Sequence, residues 1–224
     1  MRIATWNIER LKHISEKNTI EKLCADLDAD ILVLTEADNR ISLDYEYVYE
    51  TDILPASFET ASGKVIEYKE SERRVVIYSK YPCVRVFDTK DRNTTIALEL
   101  DIPAGNVVIY GVIIGILGNR DANFNVELAS TVSDIQTLSQ YGSLVVCGDF
   151  NCSFSDRYYF TKHGRDTLQK VFDNCGMSIT TAGCTECIDH IAVSESLLLG
   201  NAVAVYEWNK DKKLSDHKGI MITI

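Results

Sequence analysis

The chain has 224 residues, is 46% hydrophobic and 25% charged, and carries a net charge of −10. Its 12 Gly and 3 Pro exclude a fibrous or low-complexity chain, and a chain of this length buries roughly 70% of its unfolded surface. The acidic balance excludes a basic surface that grips nucleic acid nonspecifically, but it allows an enzyme that meets one phosphate locally, and it suits a carboxylate metal site.

No repeat or linker tract breaks the sequence, so one domain over 1–224 is expected. The opening "MRIATWNIER" lacks the apolar core of a signal peptide, and the longest apolar stretch, "NVVIYGVIIGIL", is broken by glycines and too short to span a membrane. Seven cysteines, an odd number with no export signal, suit free thiols and a cytoplasmic location.

"RIATWNI" reads as a buried first strand. From about Glu16 to Asp28, Ile20, Leu23, Cys24 and Leu27 fall on one face of a helix. "ADILVLTEA" reads as a strand buried on both faces. The segments "YEYVYET", "KVIEYKE", "RRVVIYSK", "CVRVFDT", "TTIALELDI" and "NVVIYGVIIG" are short, β-branched and aromatic, as antiparallel strands and hairpins are. A helix from about Phe124 to Gln140 follows, with Leu128, Val132, Ile135 and Leu138 in one stripe. "SLVVCGDFN" is a further buried strand. A helix around Arg157 to Asn174 carries Leu168, Val171, Phe172 and Cys175, with Gly176 as its stop. "CIDHIAVS", "AVAVYEW" and "KGIMITI" close the chain as strands. Many strands and a few one-faced helices imply two packed sheets covered outside by helices.

Polar clusters stand at the ends of four of these apolar runs: Trp6-Asn7, Thr35-Glu36, Gly148-Asp149-Phe150-Asn151 and Ser215-Asp216-His217. Each alone is an ordinary turn. Together they supply what phosphate-ester hydrolysis needs: charge compensation at the phosphoryl oxygens, an activated water and help for the leaving oxygen. Glu36 is the best single ligand for a hard cation such as Mg²⁺, which takes oxygen ligands and needs one or two carboxylates. Asn7 offers its amide to a phosphate oxygen or a metal-bound water, Asp149 can accept a proton from water, and Asn151 can donate to a nonbridging oxygen. His217 needs a carboxylate to orient it.

The order W-N, T-E, G-D-F-N, I-D-H-I and a final S-D-H resembles the endonuclease/exonuclease/phosphatase superfamily, over essentially the whole span from Asn7 to His217. The resemblance implies a four-layer α/β/β/α sandwich of the deoxyribonuclease I type, within the α/β class. It implies a metal-dependent phosphoesterase with catalytic Asn7, Asp149, Asn151, Asp189 and His217, in which Asp189 pairs with His217. It further implies Glu36 and Asp216 at a Mg²⁺ site, with Mn²⁺ as an alternative, and nucleic acid as the leading substrate. Two other readings stay open: a phosphatase of small or lipid-derived, inositol-type phosphates, and a binding protein that keeps the fold without catalysis.

One departure concerns the central strand, where family members often carry His or Tyr. Here "YGVIIGILGNRD" has no His and only Tyr110 some residues earlier, so either the leaving group is aided differently, by Asn119 or Arg120 for example, or the site is less competent; Asn119 and Arg120 are also candidate substrate contacts. Arg73 and Arg74, at the head of "RRVVIYSK", are candidate phosphate contacts because guanidinium matches phosphate geometry; a solvated strand start explains them equally. Tyr158 and Tyr159 either border the cleft or begin a helix. Cys184-x-x-Cys187, with Cys175 upstream, lacks the second ligand pair of a zinc site and reads as free thiols. His190, next to Asp189 on a strand, faces the opposite side and reads as a packed histidine.

Overall fold

Apolar runs too long to leave one face in water require cover on both sides, and the chain provides it by stacking two sheets. The computed structural model describes residues 1–60, 63–200 and 202–224. In chain order, β1 (Arg2–Asn7) leads through two short 3-10 turns to α1 (Lys17–Asp26) and β2 (Ile31–Asp38). There follow β3 (Tyr47–Glu50), β4 (Ser57–Glu59), β5 (Val65–Glu67), β6 (Glu72–Ser79), β7 (Cys83–Phe87), β8 (Thr95–Ile102) and β9 (Gly105–Ile113). Next are α2 (Ala122–Leu138), β10 (Leu144–Asp149), α3 (Lys162–Asn174), β11 (Met177–Ile179) and β12 (Asp189–Ser194). A short α4 (Glu195–Leu198), β13 (Ala204–Trp208) and β14 (Gly219–Thr223) complete the chain.

One six-stranded sheet runs β13-β14-β1-β2-β6-β3 and the other β11-β12-β10-β9-β8-β7. Their centres match. Each holds one parallel pair, β1 with β2 and β10 with β9, flanked on both sides by antiparallel neighbours. Between the sheets, Ile3, Val33, Val75 and Ile77 meet Leu98, Ile109, Val145 and Ile191. Outside the first sheet, Ile20 and Cys24 of α1 pack on Trp6, Leu32 and Leu34. Outside the second, α2 and α3 lay Leu128, Ile135, Leu168 and Phe172 over Tyr110, Val112 and Val146. The layers are therefore α/β/β/α, as the sequence predicts.

One expectation is corrected. The helix read from Arg157 begins at Lys162, because Asp156 captures local donors: its Oδ1 accepts from Ser153 Oγ (2.5 Å) and the Tyr158 amide (2.9 Å). Side-chain bonds of this kind compete with a helix for its first turn. "KVIEYKE" forms an antiparallel hairpin strand as expected, Val65–Glu67 pairing with Ser57–Glu59 in a separate two-stranded sheet among the described residues. Among the described residues no helix is long and apolar enough to cross a membrane.

Phe150 ties the end of β10 into the core under α3. It is fully buried, with its ring centroid 5.9 Å from that of Phe172 and 5.8 Å from that of His190. Truncating a buried Phe costs transfer energy and leaves a cavity, about 3–5 kcal/mol. Urea unfolding of Phe150→Ala should show a loss of that size; a loss below about 1 kcal/mol would mean that the site collapses freely around the gap.

Candidate active site

The matched sheets bring their functional ends to one place. β1 ends at Asn7 and β10 at Asp149, while β12 begins at Asp189 and β14 just after His217. β1 lies across from β10 and β12, so these ends meet between the sheets. The tip of β10 depends on Gly148: its φ is +142° and a Cβ there would lie 1.9 Å from the Val112 carbonyl oxygen. Only glycine fits this approach.

Asn7 is the hub. Its Nδ2 donates to Asp149 Oδ2 at 3.0 Å, its backbone amide donates to Asp189 Oδ1 at 3.1 Å, and its Oδ1 accepts from the Glu9 amide at 2.9 Å. Asp149 also accepts from the Asn151 amide (2.8 Å) and from Asn151 Nδ2 (3.2 Å). Asp189 Oδ2 meets His217 Nδ1 at 2.6 Å, the pairing the resemblance implies. Asn7, Asp149 and Asp189 are all at most 1% exposed.

Burial this deep reshapes proton affinities. For Asp149 burial dominates; His217 opposes it and Asp189 adds to it, and the carboxyl rises to about 7. For His217 burial works against the charge, but Asp189 and Asp149 outweigh it and the imidazole rises to about 10. The histidine is thus a cation held between two acids. His190 is the opposite case: fully buried, with Nδ1 3.0 Å from Thr181 Oγ1, it falls to about 4 because of burial. It is the packed histidine that the sequence suggests.

The final loop is built to present His217. Ser215 Oγ donates to the Asn7 carbonyl at 2.6 Å, and Trp6 Nε1 donates to the His217 carbonyl at 3.1 Å. Asn209 Nδ2 donates to the carbonyls of both Ser215 (2.8 Å) and His217 (2.7 Å). Ser215 was visible within the S-D-H motif. Asn209, in "EWNKDKK", gave no signal beyond that of a turn residue.

Hard oxygen ligands stand beside this network. Glu36 follows Thr35, which pairs with Asn7 across the parallel strands. Its φ of 42° is a left-handed conformation rare outside glycine, and it accepts no hydrogen bond from the described residues. Asp216 Oδ1 lies 3.6 Å from His217 Nε2. Glu9, which the sequence reading missed in a loop, accepts from the Asp216 amide at 3.3 Å. A hydrogen bond to Glu9, and then the charges of Glu9, Glu36 and Asp216, raise the Lys12 ammonium, with burial opposing. Three carboxylates thus share one neighbourhood, a donor set that fits a hard divalent cation. Among the described residues, the one His/Cys/Asp/Glu group with ligand atoms within 4.8 Å of one another is Asp149, Asp189 and His217. Those atoms are already hydrogen-bonded to each other and to amides, and a charged imidazole is no ligand, so Glu36 and Asp216 suit a cation better. All seven cysteines are free thiols and none belongs to that group.

The other candidates fall elsewhere. Arg73 is buried and donates to Glu50 Oε1 (3.0 Å) and to the carbonyls of Glu70 (2.7 Å) and Glu72 (2.9 Å), so its donors are occupied within the protein. Arg74 donates to Tyr68 Oη and lies 4.7 Å over that ring. Asn119 Nδ2 donates to the carbonyls of Asn151 (2.9 Å) and Tyr159 (3.1 Å), locking two loops together. Asn151 Nδ2 faces Asp149 and the Ile114 carbonyl (2.8 Å), which directs that amide inward, where the sequence reading had aimed it at phosphate. Arg120 is exposed on the adjoining loop.

The shifted pair makes stability depend on pH. The folded-state pKa of His217, about 10, exceeds its ordinary 6.5, so its contribution is full below pH 6.5 and is lost as pH rises through 10. Asp149, raised from 3.8 to about 7, changes in the same direction at lower pH. Urea midpoints of wild type and His217→Asn should therefore converge between pH 6.5 and 10; a gap that stays constant would show that His217 carries no such charge.

The family model for the endonuclease/exonuclease/phosphatase family matches residues 4–217. No curated protein matches the chain in sequence. Among solved structures it is similar to a 3' phosphatase, NExo, from Neisseria bound to a product DNA hairpin (TM-score 0.70, 18% identity, covering 100% of this chain and 99% of that one). It is also similar to the endonuclease domain of TRAS1, a telomere-specific non-LTR retrotransposon (0.67, 14%, 100% and 97%). A third is an AP endonuclease from Archaeoglobus fulgidus (0.65, 15%, 100% and 99%). At such identities these structures speak for the fold, and the family match covers the ends of all the strands that carry the polar network. This chain belongs to the endonuclease/exonuclease/phosphatase family and is a phosphoesterase of that fold.

Proposed function

We propose that this protein is a divalent-metal-dependent phosphodiesterase that acts on nucleic acid. One observation carries the reading: the continuous hydrogen-bonded chain Asp149–Asn7–Asp189–His217, buried between the sheets beside the free carboxylate of Glu36. Nucleic acid is favoured because similar structures are described as a 3' phosphatase bound to a DNA hairpin and as endonucleases. The net charge of −10 favours the second reading, a phosphatase of small or lipid-derived phosphates.

In this mechanism Asp149 takes a proton from the attacking water. A carboxyl near pKa 7 suits that task, because a general base works best close to the operating pH. Asn7 and Asn151 hold both Asp149 oxygens in place. His217, kept charged and oriented by Asp189, presents Nε2 to the phosphoryl oxygens and compensates charge that grows in the transition state. Glu36 and Asp216 would hold Mg²⁺ or Mn²⁺, which supplies further charge compensation at those oxygens.

The test is hydrolysis of plain duplex, abasic duplex, single-stranded DNA, RNA and inositol phosphates with Mg²⁺ or Mn²⁺. Asp149→Asn and His217→Ala should each lower turnover by roughly 10²–10⁴-fold with circular dichroism unchanged. Glu36→Gln should raise the metal concentration needed for half-maximal rate. Full activity in both variants, or in wild type treated with chelator, would overturn the proposal.

A further inference from the structure

The chain has ten arginines, at positions 2, 10, 40, 73, 74, 85, 92, 120, 157 and 165. Eight have partners within the protein. Arg2, Arg10, Arg40, Arg73 and Arg92 pair with carboxylates. Arg74 bonds Tyr68, Arg85 lies over Phe87 and Tyr141, and Arg165 donates to the Ser153 carbonyl. Among the described residues, Arg120 and Arg157 alone have no hydrogen bond or ion pair, and both are exposed. Both residues line the same cavity of about 560 Å³, between the 117–120 turn and the loop that carries Tyr159 and Phe160.

In a protein of charge −10, two unpaired guanidiniums on one cavity are out of pattern. Like charges that share a space repel, and a dianion or a phosphodiester relieves that repulsion while meeting the donor fork of each group.

The cavity is coupled to the catalytic centre. Asn119 joins its two walls to the Asn151 carbonyl, next to Asp149. Glu127 accepts from the Gly115 and Ile116 amides and fixes the start of the 117–120 turn. Tyr159 is held with φ 42°, and its Oη lies so close to Gly118 that a Cβ there would be 2.7 Å away. Burial raises the Tyr159 phenol and the Asp149 and Asp216 carboxylates add to it, while a hydrogen bond from the Asn119 backbone amide and the Arg120 charge oppose the shift. The phenol is therefore within electrostatic reach of both carboxylates. Tyr159 is 43% exposed and available for contact with a planar base. Phe160 is covered by Arg165 at 4.1 Å and serves as wall.

We infer that this cavity is a subsite for a second phosphate of the substrate, the phosphodiester next to the scissile one in a polynucleotide strand, taken by Arg120 and Arg157 with the neighbouring base against Tyr159. The inference rests on the nucleic-acid reading above and narrows it: the enzyme recognises at least one nucleotide beyond the bond it cleaves. It also shows how an acidic protein can handle a polyanion, with a paired contact at one point in place of a broad basic surface.

The test is a double-mutant cycle on an oligonucleotide that wild type cleaves. Each phosphate flanking the scissile one is replaced in turn by a neutral methylphosphonate, and kcat and KM are measured for wild type, Arg120→Gln, Arg157→Gln and the double variant. Both positions are exposed, and melting curves check that the fold persists. At one flanking position the methylphosphonate should raise wild-type KM roughly tenfold, the scale of one lost charge-assisted contact. The double variant should show a similarly raised KM on the all-phosphate strand and no further response to the methylphosphonate at that position. Independent, additive effects at every position would overturn the subsite while leaving the nuclease reading intact. No wild-type turnover on any nucleic acid, with turnover on inositol phosphates, would remove the reading beneath it and the subsite with it.

Discussion

Two β-sheets packed through Val, Ile and Leu need nothing polar between them, yet one end of this sandwich is sealed by Asn7. Its side chain and backbone amide reach across from the first sheet to Asp149 and Asp189 of the second. A buried carboxylate is tolerated only where donors satisfy it, so the two sheets are obliged to meet in one relative position. His217 supplies the positive charge that two neighbouring acids require. The polar cluster is therefore the register pin of the fold as well as the seat of the proposed chemistry.

Much of this was legible in the sequence because strands buried on both faces leave continuous apolar runs, and the polar residues that end them stand out. Asn7, Glu36, Asp149, Asp189 and His217 were found that way and by their order along the chain. Which arginines are left for a substrate was legible only in part: Arg120 stood among the candidates, Arg157 did not. Whether a guanidinium is free or spent depends on partners distant in sequence, such as Glu50 for Arg73, 23 residues away. Asn209 and Glu9 lie in loops whose composition marks turns and nothing more. The start of α3 was misplaced for a local reason: Asp156 draws amides and hydroxyls to itself, a competition that helical periodicity does not register.

The acidic net charge and the proposed polyanionic substrate are reconciled by geometry. Carboxylates crowd the side of the site around Glu9, Glu36 and Asp216, where a cation is wanted. At the neighbouring cavity, Arg120 and Arg157 make no ion pair among the described residues. Summed charge describes long-range attraction; at the distance of one nucleotide, the local pair decides.

β14, the last strand in chain order, does not sit at an edge. It lies between β13 and β1, and residues just before it bond to the first strand across more than two hundred positions: Ser215 to Asn7, and the His217 carbonyl to Trp6. Contacts so remote along the chain bear the full entropy of closing a long loop before they repay it, which places them late in folding. The first sheet therefore keeps β1 as an open edge until β14 docks, bringing β13 with it. With His217 beside that late arrival, a partly folded chain holds Asp149 and Asp189 without the imidazole that meets them, and on the proposed mechanism phosphoester cleavage begins only once the whole sandwich has closed.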